Sequence, residues 1–289
     1  MGKITTMDLG SNTFRVLNYN CENGEVLGVY ERVVGTATNL SVDNTIGEGS
    51  LQKIINAIKS AKKEIGFYPH IRAVTTAALR KASNSQTILE KIALKTDIEF
   101  EIISGEEEAN LTLLAVRNRL EKLGNSVESF VVVDIGGASS EVIVVEGDTV
   151  RVKSFDIGIV TYEEHTDVLR SIHHFCSNLN VSSVVATAGT PTTIAALKLG
   201  QTYKSYDASV INGESINFED FEKVKKMLEG ADKQTQEHLV GKDRAELVVT
   251  GIELFRQILE YLGVSESLVI DDGLREGVAL DYCSRDIWA

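Results

Sequence analysis

Proline is nearly missing from this 289-residue chain, which has two, and tryptophan occurs once. The shortage of proline excludes a proline-rich linker, so domains within the chain should be joined by short crossings. Positive charge is also scarce. Lys and Arg number 29 against 42 Asp and Glu, a formal net charge of −13. Binding nucleic acid or an anionic membrane without sequence preference requires a basic footprint, which this balance excludes as a general surface property. Any phosphate site must therefore be local. No apolar run approaches the ~18 residues of a spanning helix, and the start Met-Gly-Lys-Ile-Thr-Thr-Met-Asp carries no apolar signal core. A cytoplasmic location and no membrane partner are expected. Cys21, Cys176 and Cys283 form no CxxC or paired spacing, and an odd number fits a reducing compartment better than a disulfide framework. Five histidines make no ligand motif; His173 and His174 are neighbours on an expected helix, point in different directions and read as a surface pair.

What the chain does have is 43% hydrophobic residues, enough for a substantial core, and a length suited to two medium domains. It also has a repeated device. At residues 127–146 an apolar run (Phe130 to Val133) stops at Asp134, Gly136, Gly137, Ser139 and Ser140 make a bend, and Val142 to Val145 leave it. Glycines can take positive φ and let the backbone approach a ligand, so successive N–H groups could face an oxyanion. Asp134 stands where a metal ligand would be useful. Alone, the bend reads equally well as an ordinary hairpin that satisfies its own turn. The same order of strand, Asp, apolar residue, Gly and small polar residues recurs at Asp8-Leu9-Gly10-Ser11-Asn12-Thr13. Two similar lobes, each opening with the device, are expected.

The rest of the chain supports that plan. Ile4 to Met7, Phe14 to Tyr19 and Val26 to Val34 read as three antiparallel strands with an Asn23-Gly24 hairpin. Leu51, Ile54, Ile55, Ile58, Ala61 and Ile65 share a helical face, with Ser50 as expected N-cap. A strand from Ile71 to Thr76 leads into Thr-Ala-Ala-Leu-Arg80-Lys81, a helix spans about 85–95, and a strand runs from Ile98 to Ile103. Ser104 and Glu107 then form a capping box opening a helix. Three adjacent glutamates, Glu106 to Glu108, exceed what a first helical turn needs, so at least one should have another task. In the second half, a strand from Val150 to Phe155, a helix at 162–179 and a strand from Val184 to Thr187 precede Ala188-Gly189-Thr190-Pro191, read as a Gly-Thr turn with proline at a helix's first position. Helices at 218–229, 233–240 and 243–263, a strand from Ser267 to Ile270 and a final helix complete the pattern. An α/β protein is expected, with lobe I over 1–118, a helix at about 277–289 packing back on it, and lobe II over 119–276.

Assembled in order, these segments resemble the Ppx/GppA family of exopolyphosphatases and guanosine pentaphosphate phosphohydrolases. The resemblance is carried by Met7-Asp8-Leu-Gly10-Ser11-Asn12-Thr13-Phe-Arg15, Thr75 to Ala82, Ile103-Ser-Gly-Glu-Glu-Glu108-Ala, Val133-Asp134-Ile-Gly-Gly-Ala138-Ser139-Ser-Glu141, Ala188 to Leu197 and Asp272-Gly-Leu-Arg275-Glu-Gly. It implies two ribonuclease-H-like lobes of the actin, sugar kinase and heat-shock-chaperone ATPase superfold, with a cleft between them. It also implies release of the terminal phosphate of polyphosphate or of pppGpp, a stringent-response nucleotide. By resemblance, Glu108 is the general base; Asp8, Asp134 and Glu141 hold Mg²⁺; and Arg80 grips the terminal phosphate. Ser11, Asn12, Gly136, Gly137, Ser139, Gly189 and Thr190 line the phosphates, with Arg15 and Arg275 as phosphate contacts or salt bridges.

Three residues depart from the family pattern: Ala138 for a glycine, Asn110 for an arginine after Glu-Glu-Ala, and Pro191 at a usually unconstrained position. The helical C-terminal domains of long members have no counterpart in this sequence, so short-chain polyphosphate or pppGpp is the expected substrate unless a homodimer extends the channel. A small kinase and a (p)ppGpp sensor without turnover are the alternatives.

Overall fold

The computed structural model describes residues 2–38, 40–125, 128–162, 166–176 and 183–285. In chain order its elements begin with β1 (Lys3–Leu9), β2 (Thr13–Asn20), β3 (Glu25–Val33), α1 (Leu40–Asp43), α2 (Glu48–Ile65), β4 (His70–Thr75), α3 (Ala77–Lys81), α4 (Ser85–Thr96), β5 (Phe100–Ile102) and α5 (Gly105–Lys122). There follow β6 (Ser129–Ile135), β7 (Ser140–Glu146), β8 (Thr149–Phe155), α6 (Thr166–Cys176), β9 (Val184–Thr187), α7 (Gly189–Lys198), α8 (Ala208–Ile211) and β10 (Ser215–Asn217). The last are α9 (Phe218–Glu229), α10 (Lys233–Val240), α11 (Ala245–Leu262), β11 (Glu266–Val269) and α12 (Leu274–Arg285). The chain divides into two compact units, Met1–Ala115 with Leu274–Ala289, and Val116–Gly273.

In the first unit β1 pairs antiparallel with β2 and parallel with β4, in a sheet ordered β3-β2-β1-β4-β5. In the second, β6 pairs antiparallel with β7 and parallel with β9, in a sheet ordered β10-β11-β9-β6-β7-β8. Without the added edge strand β10, the second order repeats the first. This is the α/β arrangement that the resemblance implies. The central strands β1 and β6 are buried along nearly their whole length, because helices cover both faces of a sheet joined by parallel crossovers.

Each unit has its own core. Met7, Leu9, Phe14 and Val16 pack with Ile54, Ile58, Leu79 and Ile92 in the first; Val133, Ile135, Val142 and Ile194 pack with Phe221, Leu254 and Phe255 in the second. A second face of the first sheet is closed by α12, where Ala279 and Cys283 meet Ile4, Leu17 and Tyr19, and Leu274 and Val278 meet Val74, Ile103 and Leu111. Gly277 makes this approach possible. A Cβ there would collide with the Leu111 carbonyl of α5.

Several local expectations change. Helix α2 starts at Glu48 with Gly47 as N-cap, so Ser50 lies inside the first turn and its hydroxyl donates to the Gly35 carbonyl at 2.6 Å. Helix α7 starts at Gly189; Ala188 is its N-cap at φ 76°, and Pro191 falls at the third position. The expected helix at 162–179 appears as α6, while 163–165 and 177–179 lie outside the described residues, as does Val127.

The cysteines also differ from the expectation. Cys21 and Cys283, separated by 262 residues, form a disulfide between the end of β2 and the last turn of α12. Cys176 is free and buried, and burial pushes its thiol up to about 11 from 9.0, with Arg151 pulling slightly the other way. The unfolded thiol ionises first as pH rises, so this group's contribution to stability is complete below pH 9 and is lost between about 9 and 11. Iodoacetamide at pH 8 should leave Cys176 unlabelled in the folded protein and label it in denaturant. Rapid native labelling would refute its burial.

Candidate active site

Both copies of the device end a central strand and reverse into its antiparallel neighbour, and the register chooses which side chains meet. In the first unit Asp8 lies opposite Arg15, and Arg15 opposite Glu31. Asp8 is 5% exposed; its Oδ2 stands 3.6 Å from Arg15 Nη1, and its Oδ1 is buried with no hydrogen-bond partner. Arg15 Nε donates to Glu31 at 3.1 Å. Burial raises the Asp8 carboxyl above the usual carboxylate range, while the charges of Arg15 and then Arg275 pull it back. Burial would lower the Arg15 guanidinium, but Glu31 and Asp8 outweigh it and hold Arg15 above its ordinary value. The turn itself is tied back. The Asn12 carbonyl accepts from Val34 and Gly35 N–H at 2.9 Å each, and the Ser11 carbonyl accepts from Ala37 N–H at 2.8 Å. A trans peptide points its N–H opposite to its C=O, so the Asn12 N–H, which shares a peptide with the Ser11 carbonyl, points away from Ala37.

Arg80, on α3, and Glu108, in the first turn of α5, come together. Arg80 Nη1 donates to the Ile103 carbonyl at 2.7 Å and lies 3.4 Å from Glu108 Oε2. Glu108 is 9% exposed. Half of the expected capping box forms, with Glu107 N–H donating to Ser104 Oγ at 3.0 Å. The Glu107 carboxylate instead meets Arg72 Nη2 at 2.9 Å. Arg72 also holds Glu101 and Asp281, each at 2.7 Å. Arg275 Nε donates to its neighbour Glu276 at 2.6 Å, and its carbonyl accepts from Thr6 Oγ1. Asn110 is exposed on α5.

In the second unit Asp134 lies opposite Glu141 across β6 and β7, and beside Thr187 of β9. Glu141 is buried and accepts from Ser154 Oγ at 2.7 Å, its register partner on β8. Neither Gly136 nor Gly137 takes positive φ, contrary to the sequence expectation. Close packing accounts for Gly136, and for Gly158 beside the turn. A Cβ on Gly136 would lie 3.0 Å from the Ser139 carbonyl, and one on Gly158 would lie 2.6 Å from the Ala138 nitrogen. The segment 157–160 braces the turn: Ile159 and Val160 N–H donate to the Gly136 and Gly137 carbonyls at 3.1 and 2.8 Å, and Ser140 Oγ donates to the Ile157 carbonyl at 2.6 Å. Sequence reading missed this brace, because nothing local in Asp156-Ile-Gly158 points to residues 136 and 137. Ala138 and Ser139 are buried, so the Ala138 methyl is turned into the protein. Thr190 is buried against Gly251 of α11, where a Cβ would strike its hydroxyl. That side chain is committed to packing, and what the α7 start can offer a ligand is main-chain N–H.

Among the described residues no three His, Cys, Asp or Glu side chains converge as a ready-made metal cage. A magnesium ion does not require one, since it keeps several waters and uses one or two carboxylates with substrate phosphates. The buried, unpartnered Asp8 Oδ1 fits such a role.

The model of the Ppx/GppA phosphatase family matches residues 30–285. The chain belongs to this family. Among Ppx/GppA relatives, the guanosine-5'-triphosphate,3'-diphosphate pyrophosphatase of Vibrio vulnificus is 28% identical over 304 residues, covering 96% of this chain and 59% of that protein. Exopolyphosphatase 2 of Mycobacterium tuberculosis is 25% identical, covering 96% of this chain and 98% of the relative. The chain therefore spans only part of the guanosine-nucleotide relatives; for the Aliivibrio fischeri protein, 34% identical over 163 residues, the match covers 32% of the length. The crystal structure of the Aquifex aeolicus Ppx/GppA member is similar at TM-score 0.73 and 25% identity, over 99% of this chain and 98% of that one. An exopolyphosphatase from Cytophaga hutchinsonii shares the fold at TM-score 0.80 and 22% identity, over 98% of each chain.

Proposed function

We propose that this protein hydrolyses the terminal phosphoanhydride of inorganic polyphosphate or of pppGpp, with Mg²⁺ as cofactor. The pairing of Arg80 with Glu108 at the start of α5, in a chain of this family, carries the reading. Phosphoryl transfer depends mostly on positioning and on neutralising oxygen charge, so few groups are needed. In the first unit Glu108 orients the attacking water and takes its proton as oxygen joins the terminal phosphorus and the bridging P–O bond breaks. Arg80 holds a terminal phosphate oxygen and keeps Glu108 directed toward it. The Ser11–Asn12 turn supplies N–H groups, and Arg15 and Arg275 bring positive charge near Asp8. In the second unit the Gly136 N–H is tied to the Ser139 carbonyl at 2.9 Å, and the turn after it and the α7 start at Gly189 supply further N–H donors. Asp8 in the first unit, and Asp134 with Glu141 in the second, are carboxylates suited to hold a cation or its waters. When bound, the cation neutralises phosphate charge and favours the hydroxide form of a nearby water.

The cation claim has a direct check. Phosphate release should stop on chelation with EDTA and return when Mg²⁺ is added in excess. Undiminished release in chelator would remove the cation from the account.

A further inference from the structure

The catalytic reading makes no use of the one disulfide among the described residues. Cys21 follows β2 and is partly exposed; Cys283 sits in the last turn of α12 and is 8% exposed. The bond lies beyond the ladder of the first sheet, whose strand pairing does not depend on it. Without it α12 would still be seated by Leu274, Val278 and Ala279. Both redox states can therefore keep the fold, and what changes is how firmly the far end of α12 is held.

That end is connected to the start of α5 by charged contacts within the same unit. Asp281, two residues before Cys283, accepts from Arg72 Nη1 at 2.7 Å. Arg72 reaches Glu107 at 2.9 Å and Glu101 at 2.7 Å, and its side chain is only 18% exposed. Glu107 is bonded in sequence to Glu108. Three carboxylates from β5, α5 and α12 thus share one largely enclosed guanidinium, which fixes the first turn of α5 in position and roll. If α12 frays, Arg72 loses the Asp281 anchor and Glu107 loses part of its clamp. Charge-assisted contacts of this kind are stronger and more directional than neutral ones.

We propose that Cys21–Cys283 is a reversible redox modification site, reduced by a dithiol, whose state is transmitted through α12, Asp281, Arg72 and Glu107 to Glu108. The inference rests on the assignment of Glu108 as the base. In the covalent step a thiolate of the dithiol attacks the more accessible Cys21 Sγ, the Sγ–Sγ bond breaks, and Cys283 leaves as thiolate and takes up a proton. The second thiol of the reductant then attacks the mixed disulfide and releases Cys21. Two electrons and two protons pass to the cysteine pair, and the dithiol becomes a disulfide. The oxidised form is the tightly clamped one.

The test compares the full chain before and after dithiothreitol, with thiols counted in denaturant. One thiol is expected when oxidised, Cys176, and three when reduced. Amide hydrogen exchange at Gly105–Glu108 should rise on reduction, and the rate of phosphate release at saturating substrate should fall by about two- to thirty-fold with KM little changed. Cys21→Ser should show the reduced values under both conditions. Asp281→Asn, which keeps the disulfide, should make both redox states alike. Equal exchange at 105–108 in the two wild-type states, or three thiols after mild oxidation, would overturn the proposal. The exchange comparison needs no variant and no turnover. If neither state releases phosphate while exchange still responds, the base assignment fails and the redox coupling stands.

Discussion

Glu108→Gln is expected to lower turnover by about two to four orders of magnitude while leaving KM within a few-fold of wild type. The substitution keeps the shape and a carbonyl oxygen near Arg80, so substrate positioning should survive. It removes the group able to accept the proton of the attacking water. Arg80 is 27% exposed and keeps its bond to the Ile103 carbonyl at 2.7 Å, so neutralising Glu108 leaves no guanidinium buried and unpaired. Thermal unfolding should therefore shift little. A control at Glu106, exposed in the same helical turn, should retain activity when changed to Gln. Full turnover in Glu108→Gln would remove this residue from the chemistry and leave the three-glutamate run as helix-start charge only.

Gly277→Ala should have the largest effect of any single methyl in the first unit. The added Cβ meets the carbonyl of Leu111, which is backbone and cannot swing aside. Either α12 or α5 must move, in a region where Leu111, Leu274 and Val278 are packed together. Overpacking of a tight contact costs about 1–3 kcal/mol and at times more, so the melting temperature should fall by about 2–12 °C. Activity should fall as well at temperatures where the variant remains folded, because α5 carries Glu108 and α12 carries Arg275. Gly49→Ala is the matched control. Nothing lies within 4 Å of its Cβ, and it sits in the first turn of α2, so the change should be neutral or slightly stabilising. Unchanged melting of Gly277→Ala would show that the α5 and α12 backbones are not in the contact described.

What could be read in the sequence followed the range of the physical signal. Strands β6, β7 and β9 are nearly continuous β-branched runs, and the face of α2 repeats at helical spacing, so both were legible from a few consecutive residues. The expectation of two similar lobes came from the Asp8 and Asp134 devices, since each ends an apolar run and starts an antiparallel return, and the α/β superfold came from the resemblance. Features set by long-range approach were not legible. Cys21 and Cys283 look unrelated at a separation of 262 residues, and only the return of α12 onto the first sheet unites them. Gly136 and Gly137 suggested a left-handed turn, whereas neither takes positive φ, and a Cβ at Gly136 would press on the Ser139 carbonyl. Glu107 matched a capping box by spacing, but a cation from β4 outcompeted the Ser104 amide for its carboxylate. Within the candidate site, the resemblance named Arg80 and Glu108, and the structure brings them together. The same resemblance named Thr190, whose side chain the structure commits to Gly251.

Hydrolysis is decided by phosphate release in the presence of Mg²⁺, measured side by side on pppGpp and on polyphosphate of defined length. Phosphate is expected without any added acceptor, with ppGpp or a polyphosphate one unit shorter as co-product, and that signal should be lost in Glu108→Gln. Tight binding of either compound with no phosphate released by the wild-type protein would contradict it.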